Sequence, residues 1–138
     1  MKNKSLVSIT DFSKSDYLKI LELAEAYERE PLNELLSGKV IATLFFEPST
    51  RTRLSFESAV NKMGGRIIGF SDSNSSSVTK GETLYDTIKI VCNYCDLIVM
   101  RHASSGSARF IANHFAAGII NAGDGEHEHP TQALLDAF

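Results

Sequence analysis

The sequence has few cysteines, no long apolar run and little net charge, and each of these shortages excludes a class of protein. Cys92 and Cys95 are its only cysteines, which is too few for the disulfide framework of a small secreted domain. No apolar run approaches the roughly 20 residues that cross a bilayer. The first residues lack the apolar stretch and the cleavage site of a signal peptide. These features predict a cytoplasmic protein without a membrane partner.

The charge balance restricts how the chain can bind phosphate. Its net charge is −3, so nothing overall favours nucleic acid or an anionic membrane surface. The chain contains neither a Walker A motif nor a complete dinucleotide-binding fingerprint. Any phosphate chemistry must therefore come from a local group of cations.

The two cysteines have the spacing of a redox motif, but they close a predicted helix. Redox pairs normally open a helix, where the dipole lowers the thiol pKa. At a helix end the dipole acts in the opposite direction. We therefore interpret Cys92 and Cys95 as part of a packed helix end.

Composition and periodicity predict one α/β domain. With 43% hydrophobic and 22% charged residues, the 138-residue chain can bury a core without disulfides or metals. Short apolar runs rich in Ile and Val alternate with segments of helical spacing, which indicates a parallel sheet of about four strands with helices on both faces. The predicted strands are residues 40–46, 67–70, 97–100 and 118–121. The predicted helices are residues 16–29, 50–63, 83–94 and 105–114, and a last one that starts near Pro130.

The end of the chain lies inside this pattern. The apolar helical spacing reaches Phe138 without a capping signal. We therefore expect residues 1–138 to be one domain of a longer protein.

Polar and cationic side chains follow the first predicted strand, at the start of a helix. Residues 46–53 read FEPSTRTR. A helix start offers unpaired amides and partial positive charge. The hydroxyls of Ser49, Thr50 and Thr52 add donors, and Arg51 adds a permanently charged planar group, so the set can hold a phosphate. The alternative is an ordinary capped helix with solvent-facing arginines, because Ser and Thr most often serve as caps there.

Three further polar segments lie near the ends of predicted strands. Residues 71–77 are a serine-dense loop followed by Lys80, which is either a solvated surface loop or a lid that delivers charge. Arg101 ends the third strand, where it either places a cation at the carboxyl edge of the sheet or escapes to solvent. His129 opens the last helix, where the dipole favours a neutral ring that can still donate a hydrogen bond.

A metal site is one interpretation of the acidic segment 126–128, which reads EHE. Its ligands would be Asp124, His127 and His129. These residues lack a fixed helical spacing. We therefore favour electrostatic tuning or plain solvent exposure, and we predict neither a metal nor a cofactor.

The runs FEPSTRTR at 46–53, KGETL at 80–84 and NAGDG to HPTQ at 121–132 resemble motifs of the aspartate and ornithine carbamoyltransferase family. The resemblance covers essentially the whole chain. HPTQ and KGET resemble the aspartate branch, since ornithine enzymes commonly have cysteine or leucine at the place of Thr131. Two places in the chain depart from the family: many members have small or amide residues at 126–128, and some have a second basic residue at Thr79.

The resemblance implies a role for each candidate side chain. The phosphate of carbamoyl phosphate would be held by Ser49, Thr50, Arg51 and Thr52. Thr52, Arg101 and His129 would contact the carbonyl oxygen, Arg101 also the phosphate, and Gln132 the carbamoyl amide. Lys80 and Ser76 would reach the site of a neighbouring subunit in a homotrimer. Arg53 is expected in structural ion pairs, and His102 in packing or capping.

The implied reaction moves a carbamoyl group from carbamoyl phosphate to the α-amine of L-aspartate, a step of pyrimidine biosynthesis. The expected catalytic set is Arg51, Thr52, Lys80, Arg101 and His129. Aspartate would bind to a C-terminal domain that these residues do not contain, and regulatory chains are a further partner that the resemblance allows. The alternatives are a stand-alone anion-binding module, a subunit-assembly module and half of an ornithine carbamoyltransferase.

Overall fold

A computed structural model describes residues 5–71 and 81–138. In this part of the chain, strands and helices alternate as predicted. The strands are β1 (Val40–Phe45), β2 (Arg66–Phe70), β3 (Leu97–His102) and β4 (Gly118–Asp124). The α-helices are α1 (Lys14–Arg29), α2 (Thr50–Lys62), α3 (Leu84–Val91), α4 (Ser107–His114) and α5 (Pro130–Ala137). None of these helices is long and apolar enough to cross a membrane.

The strands form one parallel sheet in the order β2-β1-β3-β4. The chain therefore leaves β1 toward one edge of the sheet and then crosses to the other side of β1 to form β3. A crevice opens at such a switch point, outside the carboxyl ends of the two central strands. Here the ends of β1 and β3 border that crevice.

Side chains alternate along the strands into two cores. On one face, Ala42 and Leu44 of β1 pack with Ile88 of α3 and Ile111 of α4. On the other face, Ile41 and Phe45 pack with Val60 of α2. The predicted α/β class, with helices on both faces of a four-stranded parallel sheet, is confirmed.

Strand β2 differs from the expectation that every strand is buried on both faces. Its residues Arg66, Ile68 and Gly69 are exposed, because β2 is an edge strand and, among the described residues, β1 is its one neighbouring strand. An edge strand and a central strand can have equally apolar sequences, so the sequence did not distinguish them.

The N-terminal segment lies at the opposite edge, which the sequence did not predict. Leu6 forms a parallel bridge with Ile120 of β4. Its backbone N–H donates to Ile119 and its carbonyl accepts from Asn121. A short 3-10 helix, Ile9–Asp11, follows.

Helix ends depart from prediction by a few residues. Helix α1 begins at Lys14, because Ser13 and Asp16 form a reciprocal capping box. Helix α3 stops at Val91 and not near residue 94, since the amides of Asn93 and Tyr94 bond three residues back and tighten the chain into turns.

Candidate functional site

The start of α2 is a helix N-terminus without a side-chain cap. Ser49 occupies the N-cap position with extended backbone angles, yet its hydroxyl makes no capping hydrogen bond. The neighbouring helices α1 and α3 are capped by Ser13 and Thr83. An uncapped start leaves amide donors and partial positive charge for a ligand. The structure thus disfavours the alternative of an ordinary capped helix.

Arg53 has a structural role, as expected. Its Nε lies 3.9 Å from Glu57 Oε1 one turn along α2. Glu57 also accepts a 3.1 Å hydrogen bond from the buried Thr43 hydroxyl of β1. Arg53 therefore helps to fasten α2 to the sheet, whereas Arg51 is exposed at the helix start.

Arg101 lies where the β3–β4 ladder is irregular. The register shifts between Met100 and His102, and such bulges re-aim side chains beside functional sites. Arg101 Nη1 donates to the Ala122 carbonyl at 3.3 Å, and Nε lies 3.6 Å from Glu47 Oε2. Nε is buried and has no hydrogen-bond partner within the described residues. The guanidinium is thus held in place and keeps an unused donor.

Gly123 lies against both Arg101 and His129. Its φ is +118°, and a Cβ there would lie 2.8 Å from Arg101 Nη1 and 3.5 Å from His129 Cδ2. Only glycine tolerates this backbone and this approach. The glycine therefore allows the cation and the imidazole to lie side by side.

His129 is the N-cap residue of α5, and one of its ring nitrogens makes the capping hydrogen bond. Its Nδ1 accepts from the Gln132 backbone N–H at 3.3 Å and lies 3.2 Å from the Thr131 hydroxyl. A nitrogen that accepts carries no proton, so the hydrogen-bond partners assign the neutral tautomer with its proton on Nε2. His129 can therefore donate a hydrogen bond through Nε2–H.

The pKa of His129 lies below its usual value. Burial is the main cause, and the positive charge of Arg101 acts in the same direction. The lowered pKa agrees with the expectation of a neutral ring. The expectation rested on the helix dipole, whereas burial and the charge of Arg101 are effects of tertiary structure.

An open cleft of about 650 Å³ joins α2 to α5. Phe56 and Leu135 contribute apolar surface. The polar side chains that line it are Arg51, Thr52, Ser55, His129, Thr131 and Gln132. Four predicted site residues from two distant segments thus face one cleft, beside Arg101.

Ser49, Thr50 and Arg101 are not among the residues that line this cleft, and Gln132, which does line it, has a bonded side chain. Ser49 and Thr50 belong to the uncapped helix start. The Nε2 of Gln132 donates to Asp136 at 2.8 Å. Lys80 and Ser76 lie outside the described residues.

His102 and Cys95 take the structural roles expected of them. His102 packs on Phe46, and its Nδ1 accepts from the Ser104 N–H at 3.0 Å. Burial raises the pKa of the Cys92 thiol, and it raises the pKa of the Cys95 thiol to about 11. A protonated, half-buried thiol at a helix end is a poor nucleophile.

The acidic segment agrees only in part with the expected solvent exposure, since Glu126 and His127 are exposed and Glu128 is not. Glu128 bonds to the N-terminal segment at Ser8 and Ile9, while Glu126 is exposed. Asp124 is buried and accepts backbone N–H groups. Among the described residues, no group of three His, Cys, Asp or Glu side chains comes together that could hold a metal.

Sequence reasoning assigned no role to Gly123, Asn121 or Glu47. Asn121 is fully buried, and its amide bonds Val7, Gly123 and Glu128. A glycine at a strand end, between Ala122 and Asp124, was the available signal for a close approach. The partner of Arg101 could not be inferred, because Glu47 lies on another strand's end.

Fold and site together define a parallel α/β domain with a candidate anion site at its switch point. Residues 4–138 match the family described as aspartate/ornithine carbamoyltransferase, carbamoyl-P binding domain. The chain belongs to this family.

Named relatives agree with this membership. The aspartate carbamoyltransferase catalytic subunit of Parabacteroides distasonis is 59% identical over 138 residues, which are 100% of this chain and 45% of that protein. The chain thus spans less than half the length of this relative.

Solved structures agree as well. Aspartate transcarbamoylase from Trypanosoma cruzi, in complex with carbamoyl phosphate and aspartate, superposes with a TM-score of 0.90 at 42% identity, covering 99% of this chain and 46% of that one. The catalytic subunit of M. jannaschii aspartate transcarbamoylase gives a TM-score of 0.86 at 49% identity, covering 96% and 45%.

Proposed function

We propose that this chain is the carbamoyl-phosphate-binding half of an aspartate carbamoyltransferase. The observation that carries the proposal is that His129 shares a cleft with Arg51 and lies beside Arg101 at Gly123. Arg51 lines a cleft at an uncapped helix start, Arg101 keeps a buried unused donor, and His129 is neutral with a free Nε2–H.

The phosphate of carbamoyl phosphate would bind at the start of α2. The hydroxyls of Ser49, Thr50 and Thr52 and the guanidinium of Arg51 supply its donors. Charged donors bind phosphate oxygens more strongly than neutral ones. Phosphate is already a good leaving group, so neither a covalent nucleophile nor a metal is required.

The carbonyl oxygen would lie near Thr52, Arg101 and His129, with the carbamoyl amide near Gln132. The aspartate amine attacks the carbonyl carbon, a C–N bond forms, the C–O bond to phosphate breaks, and one amine proton passes to the departing phosphate. Negative charge grows on the carbonyl oxygen during attack. Preorganised donors stabilise that charge, and removal of one such donor costs about 10²–10³ in kcat.

Aspartate would bind to a part of the protein beyond these 138 residues. Positioning the amine next to the carbonyl is worth at most roughly 7–11 kcal/mol of the barrier. The catalytic set is completed by Lys80, with Ser76, from a neighbouring subunit of a homotrimer. Regulatory chains and a cytoplasmic location belong to the same proposal.

Calorimetry tests the phosphate site. Carbamoyl phosphate and inorganic phosphate are titrated into the full-length protein, its Arg51→Ala variant and the control Arg29→Ala, which removes an arginine from exposed α1. Loss of a charged hydrogen bond, worth about 1.5–3 kcal/mol, predicts binding weaker by roughly tenfold or more in Arg51→Ala. Equal affinity in Arg51→Ala and wild type would refute the site.

Substrate assays test the branch. The full-length protein is supplied with carbamoyl phosphate and either L-aspartate or L-ornithine. Carbamoylaspartate formation supports the proposal, and citrulline formation would assign the ornithine branch. Binding without either product would leave a stand-alone anion-binding module.

A further inference from the structure

Glu128, the residue before His129, is bonded through its side chain to the N-terminal segment. The Ser8 hydroxyl donates to Glu128 Oε1 at 2.7 Å, and the Ile9 N–H donates to Oε2 at 2.8 Å. These partners lie about 120 residues away in sequence. Both carboxylate oxygens therefore have a donor, and such charge-assisted bonds fix the direction of a side chain.

The backbone of Glu128 is held from the other side. Its N–H donates to Oδ1 of the buried Asp124 at 3.0 Å. Its carbonyl accepts from the Asp124 N–H at 3.2 Å and from Asn121 Nδ2 at 3.4 Å. Glu128 thus links the strand end that carries Gly123 to the residue that opens α5.

The N-terminal segment is a fixed partner. Both the backbone N–H and the carbonyl of Leu6 are hydrogen-bonded to β4. The Val7 carbonyl accepts from Asn121 Nδ2 at 3.0 Å. Ser8 is only 5% exposed, and its N–H donates to Asp11 Oδ2 at 2.9 Å. Glu128 is therefore bonded to a segment that is itself part of the sheet edge.

We propose that Glu128 is a positioning residue for His129. By fastening the loop before α5 to residues 8 and 9, it sets the imidazole beside Arg101 and keeps Nε2–H available to the cleft. Glu128 does not line the cleft, so it acts only through its neighbour. The effect on turnover rests on the function proposed above, whereas the effect on the His129 ring does not.

Matched variants of the full-length protein separate position from charge. Glu128→Ala removes both bonds, and Glu128→Gln replaces them with neutral ones, with its carbonyl oxygen for the Ile9 N–H and its amide NH₂ facing the Ser8 hydroxyl, which must then accept. Glu126→Ala removes the same charge two residues away, from an exposed side chain without hydrogen bonds or ion pairs in the described residues. Ser8→Ala removes one donor from the opposite side.

Turnover is the first readout. A misplaced catalytic donor costs up to about 10²-fold, so we expect kcat to fall roughly tenfold or more in Glu128→Ala and less in Glu128→Gln and Ser8→Ala. The affinity for inorganic phosphate should stay within about threefold, because the phosphate cradle lies on α2; such a split marks an interaction used in the transition state. Glu126→Ala should match wild type.

The second readout observes the ring directly. With ¹⁵N-labelled histidine, NMR distinguishes Nδ1–H from Nε2–H, and a His129→Asn variant assigns the signals. We expect the wild-type ring to be the Nε2–H tautomer and the Glu128→Ala ring to exchange between tautomers. This measurement requires no turnover, so it still tests the positioning if the proposed activity fails.

Three outcomes would overturn the inference. The first is a Glu128→Ala protein with lowered melting temperature but unchanged kcat and His129 signals, which would make the contact structural alone. The second is an equal loss in Glu126→Ala, which would make the effect one of charge. If Glu128→Ala does not fold, the Glu128→Gln variant is used for both readouts. The third overturning outcome would then be a wild-type kcat and a wild-type His129 tautomer in Glu128→Gln.

Discussion

At the scale of single residues, Gly123 is a position where one added methyl group is expected to disturb the candidate site. Its Cβ would approach the Arg101 guanidinium within 2.8 Å, closer than a Cβ normally lies to an unbonded atom. The guanidinium also anchors to Ala122 and Glu47, so it cannot retreat without losing those contacts.

We predict that Gly123→Ala weakens binding of carbamoyl phosphate by roughly tenfold, as expected when a charged hydrogen bond is displaced. Gly38→Ala is the control, because Gly38 also has a positive φ but nothing within 4 Å of its Cβ. Both variants carry backbone strain of about 1–3 kcal/mol, so comparable loss of stability is expected in both. Weakened binding in Gly38→Ala as well would show that strain, and not displacement of Arg101, is the cause.

The two histidines with lowered pKa predict how stability depends on pH. Burial lowers the pKa of His102 and His129 below the usual 6.5. Between the lowered pKa of each folded-state histidine and the usual value of 6.5, the unfolded chain therefore binds more protons than the folded one. This contribution to stability is complete above about pH 6.5 and is lost as the pH falls through the folded pKa.

Urea unfolding between about pH 4.5 and 7 measures the effect, since m-values and midpoints give the free energy of unfolding. We expect that free energy to fall toward acid in the wild type and to vary less in His102→Gln/His129→Gln. Asp96, whose pKa is lowered by the Val40 N–H and by Lys39 from the usual 3.8, changes the free energy of unfolding only at pH values below this range. An unchanged slope in the double variant would contradict the assignment.

At the scale of elements, the helix starts differ in what their hydroxyls do. Ser13 accepts from the Asp16 N–H and Thr83 from the Asp86 N–H, whereas Ser49 makes no cap bond. The hydroxyls of Ser13 and Thr83 are used by the fold, whereas the proposed function assigns the Ser49 hydroxyl to the phosphate.

We predict opposite consequences of the same kind of substitution. Ser13→Ala and Thr83→Ala should each lower the free energy of unfolding by about 1 kcal/mol without affecting phosphate affinity. Ser49→Ala should leave stability within about 0.5 kcal/mol and weaken phosphate binding. Chemical denaturation and calorimetry on the three variants measure both quantities, and a destabilised Ser49→Ala with normal affinity would identify Ser49 as an ordinary cap.

Element types were largely predictable, and element edges were not. The apolar runs predicted β1 to β4 because a strand buried on both faces must be apolar along its length. The same reasoning could not recognise β2 as an edge strand, nor the bulge at Arg101, because both depend on which strand lies alongside. Leu6 was missed for the same reason, since a single bridge has no sequence period.

At the scale of the whole molecule, the proposed function assigns carbamoyl phosphate to this domain and aspartate to a part of the protein beyond these 138 residues. We predict that the isolated 138-residue chain binds carbamoyl phosphate but turns over at least 10²-fold more slowly than the full-length protein, because the amine is not positioned. Steady-state assays on both proteins test this. Robust carbamoylaspartate production by the isolated chain would contradict the need for a further domain.

The proposed trimer has a separate test. If Lys80 serves a neighbouring site, inactive Lys80→Ala and His129→Ala full-length proteins should regain part of the activity when their subunits are exchanged, since some sites then receive both native residues. Light scattering should report a trimer throughout. Trimers without regained activity would place Lys80 in its own subunit's site.

The sequence by itself determined the class of fold, the cationic helix start after β1 and the histidine that opens α5, because these follow from local periodicity and from short motifs. Only the tertiary structure decided that Arg101 lies against Gly123 and His129, that burial and a neighbouring charge keep the imidazole neutral, and that Glu128 bonds to residues about 120 positions away. The physical reason is that distances between segments, burial and the field of one side chain on another arise only when strands from different parts of the chain are paired.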